Sequence, residues 1–154
     1  MWTFEVIEDY VEIPGKEELI SAIGQQMRGY GADPDPLRIN ASLQNALSEG
    51  KRARLFLVLN ETHTVIGFAF GNICSGLESG GDYLWINELF ITPAYRKQHI
   101  ARQLLYFIEK WVKDFGIVYV ACSTGTTNEV AQKLYSSCGY EISPTLWVDK
   151  SLTH

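Results

Sequence analysis

Glycine is missing from a long central stretch of this chain: none stands between Gly81 and Gly116. That absence counts against a glycine-rich phosphate loop there, because glycine is what lets a backbone turn with positive φ and approach a ligand closely. Cysteine is sparse. Cys74, Cys122 and Cys138 are odd in number and lack metal-ligand spacing, so neither a disulfide framework nor a zinc site is expected, and reduced thiols in a cytoplasm are the simplest reading. The three histidines, His63, His99 and His154, are too scattered for a metal site. Positive charge is short as well. Thirteen Lys and Arg against 18 Asp and Glu give a net charge of −5 and a pI near 5.2, which argues against a sequence-independent nucleic-acid binder. No apolar run approaches a membrane span, and the first residues lack a basic segment followed by an apolar one, so no membrane partner is expected and the expected location is cytoplasmic.

What is present is an ordinary globular composition, 154 residues with 46% hydrophobic and 20% charged, enough for one domain over residues 1–154 with a real core. Alternation over Trp2–Ile7 reads as a first strand. Pro14-Gly15 breaks the chain, and Leu19, Ile20, Ile23 and Met27 space as a helix over about Lys16–Arg28. Residues 29–36, GYGADPDP, form a loop rich in turn residues. Leu37–Ser48 gives a second helix. Arg54–Asn60 and Thr64–Cys74 read as a hairpin, followed by a flexible loop over Ser75–Asp82. Leu84–Ile91 is a strongly apolar strand broken by Thr92-Pro93. From Ile100 to Phe115 the apolar residues fall on one helical face, and Gly116 is a natural stop. Ile117–Cys122 is a short β-branched strand, expected to lie parallel to Leu84–Ile91 through a right-handed crossover. A last helix covers about Asn128–Ser137, with capping-box spacing at Thr126 and Glu129. Tyr140–Ile142 and Thr145–Val148 read as two closing strands. The expected fold is α/β (α+β): a mixed, mostly antiparallel twisted sheet of about seven strands flanked by four helices.

Three groups could carry chemistry. Glu88 alternates onto one strand face with Leu84, Ile86 and Phe90. A carboxylate among apolar neighbours needs a partner or its pKa rises, which suits a general base near neutral pH. A structural carboxylate, or a bulge that turns it toward solvent, explains the spacing equally well. Arg96–Arg102, RKQHIAR, opens the long helix, where backbone amides lack partners and the helix dipole is positive. The turn could cradle a diphosphate, or it could be an exposed basic helix start. Tyr135 lies on the apolar stripe of the last helix with Val130, Ala131, Leu134 and Cys138. It is either a proton donor or simply core. Asn128 could do no more than cap that helix.

Two signatures tie these groups together. Leu89-Phe90-Ile91-Thr92-Pro93-Ala94-Tyr95-Arg96-Lys97-Gln98-His99-Ile100-Ala101 resembles a strand, Pro-x-Tyr-Arg and a phosphate turn. Asn128, Ala131, Tyr135, Gly139 and Tyr140 follow with a helix and strand between. In both, the chain resembles the GNAT superfamily of acetyl-CoA-dependent N-acetyltransferases, well over about Gly67–Tyr140. The family pattern Arg/Gln-x-x-Gly-x-Gly/Ala is met at Arg96 and Ala101, but His99 takes the first glycine position. Histidine tolerates left-handed geometry better than most residues, and coenzyme binding is expected to survive.

The resemblance implies an enzyme that moves the acetyl group of acetyl-CoA to a primary amine of a small molecule or peptide, without a metal. It implies Glu88 as base and Tyr135 as acid. Coenzyme contacts would come from Leu89, Phe90, Ile91, Arg96, Lys97, Gln98, His99, Ile100, Ala101, Arg102 and Asn128. The acceptor amine would meet Tyr30, Asp33 and Asp82; together with Asp35, Glu78 and Glu88 these carboxylates make either an anionic mouth for a cationic amine or simply a set of solvated loop carboxylates. Small members of the family often form homodimers. The rival reading is a degenerate member that binds acyl-CoA as a sensor or interaction module.

Overall fold

The computed structural model describes residues 1–153. The chain divides into two compact units, Met1–Cys122 and Ser123–His154. The first holds a five-stranded sheet of β1 (Thr3–Ile7), β2 (Ala53–Leu59), β3 (Val65–Gly76), β4 (Gly81–Ile91) and β5 (Tyr119–Cys122) in that spatial order. β1 to β4 pair antiparallel, and β5 joins β4 in parallel after the crossover helix α3 (Ile100–Asp114). This is the connection a strand, an amphipathic helix and a second strand dictate, although β5 itself is only partly buried.

Each sheet face is covered for a reason visible in the residues. Leu55 and Leu57 of β2 and Phe68 of β3 pack with Leu19 of α1 (Lys16–Gly29) and Leu43 of α2 (Pro36–Ala46). The opposite face carries Phe56, which meets Phe107 and Trp111 of α3 edge-on at 6.4 and 5.4 Å. α2 begins where Asp35 accepts from Leu37 N at 3.0 Å and Pro36 occupies the first turn, because proline's missing donor costs nothing there.

Half of the loop expected over Ser75–Asp82 is strand. β3 and β4 stay paired out to Gly76 and Gly81, leaving a turn over Leu77–Gly80. Glycine and serine end the apolar pattern, but backbone pairing needs no side chain and runs on.

In the second unit α4 (Glu129–Ser137) is capped by Asn128, whose Oδ1 accepts from Ala131 N at 3.1 Å. The cap is therefore Asn128 rather than Thr126. Gly139, at φ 87°, ends the helix, with Tyr140 N donating to Tyr135 O at 3.0 Å. The two closing strands expected at Tyr140–Ile142 and Thr145–Val148 are not formed, so the sheet has five strands rather than about seven. A strand exists only through a paired edge. These segments form no ladder with each other across Ser143-Pro144, and Leu146 and Val148 are 89% and 88% exposed.

Candidate active site

β4 is interrupted by one extra residue. Gly71 of β3 pairs with Ile86 and Phe70 with Glu88, so Asn87 is a β-bulge. A bulge shifts the alternation of everything after it. Ile86 lies opposite Gly71, on the face where Arg54 stacks over Trp111 of α3. Glu88 lies opposite Phe70, and Phe90 opposite Phe68, on the α1–α2 face. The expectation that Glu88 shares one face with Leu84, Ile86 and Phe90 is corrected accordingly: it shares a face with Phe90 alone. The tight fit at Gly71 belongs to the same feature. A Cβ there would stand 3.0 Å from both Leu84 Cδ1 and the Trp85 carbonyl oxygen.

On the α1–α2 face Glu88 borders a cavity of about 330 Å³, toward the small end of ligand pockets. Its floor is Leu55, Phe68 and Phe70, and its walls include Ile23 and Met27 of α1 and Leu43 of α2. Tyr30, Asp33, Asp35 and Arg38 line it as well. Burial pushes the Glu88 carboxyl above its ordinary range, because the cavity offers the charged form little solvation. Tyr30 is 70% exposed, yet its hydroxyl reaches inward to accept from Gln26 Nε2 at 3.1 Å. Desolvation at that end raises the Tyr30 pKa, the nearby Glu88 charge raises it further, and the Gln26 hydrogen bond opposes both.

Gln26 is a site residue that the sequence reading missed. It is the buried polar side chain of α1, 6% exposed, and besides Tyr30 it reaches the Leu89 carbonyl at 3.5 Å. The available signal was a glutamine on the buried helical stripe of Leu19, Ala22 and Ile23. Arg38 was missed too, and it changes the expected anionic mouth into one of mixed charge. Asp82 is not part of this site. It ends its strand in an ion pair with Arg52 and does not line the cavity; neither does Glu78. The hairpin carries these carboxylates to the far end of β4.

The second edge of β4 splits at the bulge. β5 pairs with Tyr83 through Ile86 and no further, so Leu89, Phe90 and Ile91 are laddered to β3 alone. Thr92 N donates to Ile66 O of β3 at 2.9 Å. By two-residue alternation, Phe90 also faces β3, and the Leu89 and Ile91 amides face the open edge. Their carbonyls are met by side chains: Leu89 O by Gln26, and Ile91 O by Arg96 Nε at 2.8 Å. Arg96 thus folds back over Phe90, 5.1 Å from its ring centre, and braces the turn. Tyr95 is held by Asn60 Nδ2 at 3.2 Å.

At the start of α3, Lys97 and His99 both adopt positive φ, 63° in each case. His99 is the N-cap and makes no side-chain capping bond. Its imidazole is exposed. Among the described residues, the backbone N–H groups of Lys97, Gln98, His99, Ile100 and Ala101 have no hydrogen-bond partner, and helical bonding resumes with Gln103 N to His99 O at 3.1 Å. Unpartnered amides at the positive end of a fifteen-residue helix fit a diphosphate. His99 has taken the backbone conformation a glycine would supply without closing the corner. In the second unit Tyr135 is half-buried and its ring meets Tyr140 at 5.6 Å. Among the described residues no group of His, Cys, Asp and Glu could hold a metal ion, and no helix is long and apolar enough to cross a membrane.

Comparison with known proteins points the same way. The sequence is 28% identical over 79 residues to aminoglycoside N(6')-acetyltransferase type 1 of Salmonella typhimurium, a match covering 49% of this chain and 54% of that protein. The chain thus spans about half the length of the curated relatives it matches. An aminoglycoside acetyltransferase from an uncultured soil metagenomic sample, solved with trehalose and with sisomicin, superposes with a TM-score of 0.80 at 15% identity, covering 99% of this chain and 97% of that one. The acetyltransferase AAC(6')-Iy, solved with a bisubstrate analogue, gives 0.78 at 19% identity, with 99% of each chain covered. These two are likenesses of fold. The acetyltransferase (GNAT) family model matches residues 18–140, most of the sequence, and the chain belongs to that family.

Proposed function

We propose that the protein is an N-acetyltransferase that moves the acetyl group of acetyl-CoA to a primary amine, small-molecule or peptide. The observation that carries this reading is the bulge at Asn87. It sets a desolvated carboxylate, Glu88, in a cavity immediately beside a strand edge whose Leu89 and Ile91 amides are free.

Acetyl-CoA supplies an activated thioester. The unpartnered amides from Lys97 to Ala101 hold its diphosphate, with Lys97, Gln98 and Arg102 alongside, and the open edge of Leu89–Ile91 receives its arm as one more strand would. A Leu89 or Ile91 N–H polarises the thioester carbonyl. Glu88, directly or through water, takes the proton from the attacking nitrogen as the N–C bond forms and the C–S bond breaks. From the family pattern, Tyr135 returns a proton to the departing thiolate, and Asn128 contributes its amide N–H to the coenzyme while its Oδ1 caps α4. Tyr30 and Asp33 meet the acceptor. Asp82, paired with Arg52, is dropped from that role. The coarse homology to aminoglycoside acetyltransferases makes aminoglycosides the first amines to assay.

Thiol release from acetyl-CoA over a panel of amines tests the reading. Turnover with at least one amine, lowered far more than coenzyme affinity by Tyr135→Phe, is the expected result. Coenzyme binding without turnover on any amine would favour the second reading, an acyl-CoA-binding module. The observation behind that alternative is the non-glycine residue at the left-handed position 99.

A further inference from the structure

The cavity beside Glu88 constrains what the acceptor is, granted the acetyltransferase reading above. Its floor, Leu55, Phe68 and Phe70, offers no hydrogen-bonding atom from a side chain, and Ile23 and Leu43 continue that surface upward. One carboxylate, Glu88, borders it from the sheet. The mouth carries two carboxylates, Asp33 and Asp35, and one guanidinium, Arg38. All three are exposed, where solvent screens them, and Asp35 already accepts from Leu37 N. A polyhydroxylated acceptor that reached Glu88 would lay its hydroxyls on aliphatic and phenyl groups that cannot pair with them, and the amide of Gln26 beside them already donates to Tyr30 and the Leu89 carbonyl. An acceptor with a single amine and an apolar body would pair its nitrogen with Glu88 and bury the remainder on Phe68 and Phe70.

We propose that the acceptor is a monoamine carrying a compact apolar group, arylalkyl or branched alkyl, seated between α1, α2 and the sheet with its nitrogen at Glu88. Specificity then comes from filling the cavity, where each methylene changes discrimination by roughly ten- to two-hundredfold, while the mouth adds little.

Two readouts test this and separate it from the transferase reading. The first is kcat/KM for acetyl transfer to 2-phenylethylamine, ethylamine, spermidine and sisomicin. The second is saturation-transfer NMR of 2-phenylethylamine on the coenzyme-free protein, with the cavity filled by Ala46→Trp at its wall or Ser42→Trp at its exposed rim. The expected result is that 2-phenylethylamine exceeds ethylamine by at least about a hundredfold and sisomicin by at least about tenfold, and that its NMR signal is lost in whichever filled variant folds. Turnover of sisomicin or spermidine above 2-phenylethylamine would overturn the proposal and leave the transferase standing. A signal unchanged in both folded variants, or absent from the wild type, would also overturn it. A signal lost on filling, without turnover of any amine, would uphold the apolar-amine site and remove the transferase.

Discussion

The two halves of β4 differ although they are one continuous strand. From Tyr83 to Ile86 both edges are paired, with β3 on one side and β5 on the other, and Asp82 is tied to Arg52. From Glu88 to Ile91 one edge is paired and the other presents amides, and the side chain at the junction is a carboxylate pushed toward its neutral form. One inserted residue, Asn87, separates a doubly paired half from a half with one open edge. Withholding a sheet partner leaves the edge of the candidate site open, and the bulge decides which face receives Glu88.

The largest expected effect is on Glu88. Glu88→Gln should lower kcat/KM by about 10²–10⁴-fold, the usual worth of a general base, and flatten the rising limb of the pH–rate profile. Asp82→Asn, in the paired half, should leave the rate nearly unchanged. The same substitution has a stability signature. Because folding raises the Glu88 pKa above its unfolded value, the folded state binds the extra proton, so stability is greatest below the unfolded pKa and falls as pH rises through the folded pKa. Glu88→Gln should therefore raise Tm at pH 7 and leave it unchanged near pH 4, as thermal melts at the two pH values would show.

Next in size is Gly71→Ala. Its methyl group would press on the Trp85 carbonyl, which cannot swing aside as a side chain can. A loss of about 1–3 kcal/mol in urea denaturation is expected, together with reduced activity as the bulge is displaced. Gln26→Leu keeps the burial but frees Tyr30 and the Leu89 carbonyl. A drop of about fivefold in kcat/KM is expected, the equivalent of one hydrogen bond of about 1 kcal/mol, with a further rise in the Tyr30 pKa because the bond that lowered it is gone. The smallest effect is His99→Gly. It relieves a left-handed residue at an entropic cost, so stability should shift by less than about 1 kcal/mol. Coenzyme A affinity measured by calorimetry should stay within about threefold, since an exposed imidazole neither seals nor builds the amide corner.

Much of this arrangement was legible in the residues. The 3.6-residue stripe of α3, the β-branched β5 run and the two signatures place the parallel crossover, the amide corner and the family. Period-two reasoning failed at Asn87, because the polar pair Asn87-Glu88 does not say by itself whether the alternation continues or slips by one residue at a bulge. The hairpin end escaped because a ladder through glycines carries no apolar pattern. The opposite error occurred after Gly139, where apolar residues cluster on both sides of Ser143-Pro144 but form no ladder. Gln26 and Arg38 were overlooked because their importance depends on what the sheet brings opposite them, which spacing within one helix does not reveal.

The most direct measurement is a coenzyme A titration followed by backbone amide NMR. The open-edge account predicts that the Leu89 and Ile91 amides and those from Lys97 to Ala101 shift and saturate together, with a single affinity, while Tyr83 to Ile86 stay still. Saturable binding that leaves Leu89 and Ile91 unmoved, or that shifts the doubly paired half instead, would contradict it.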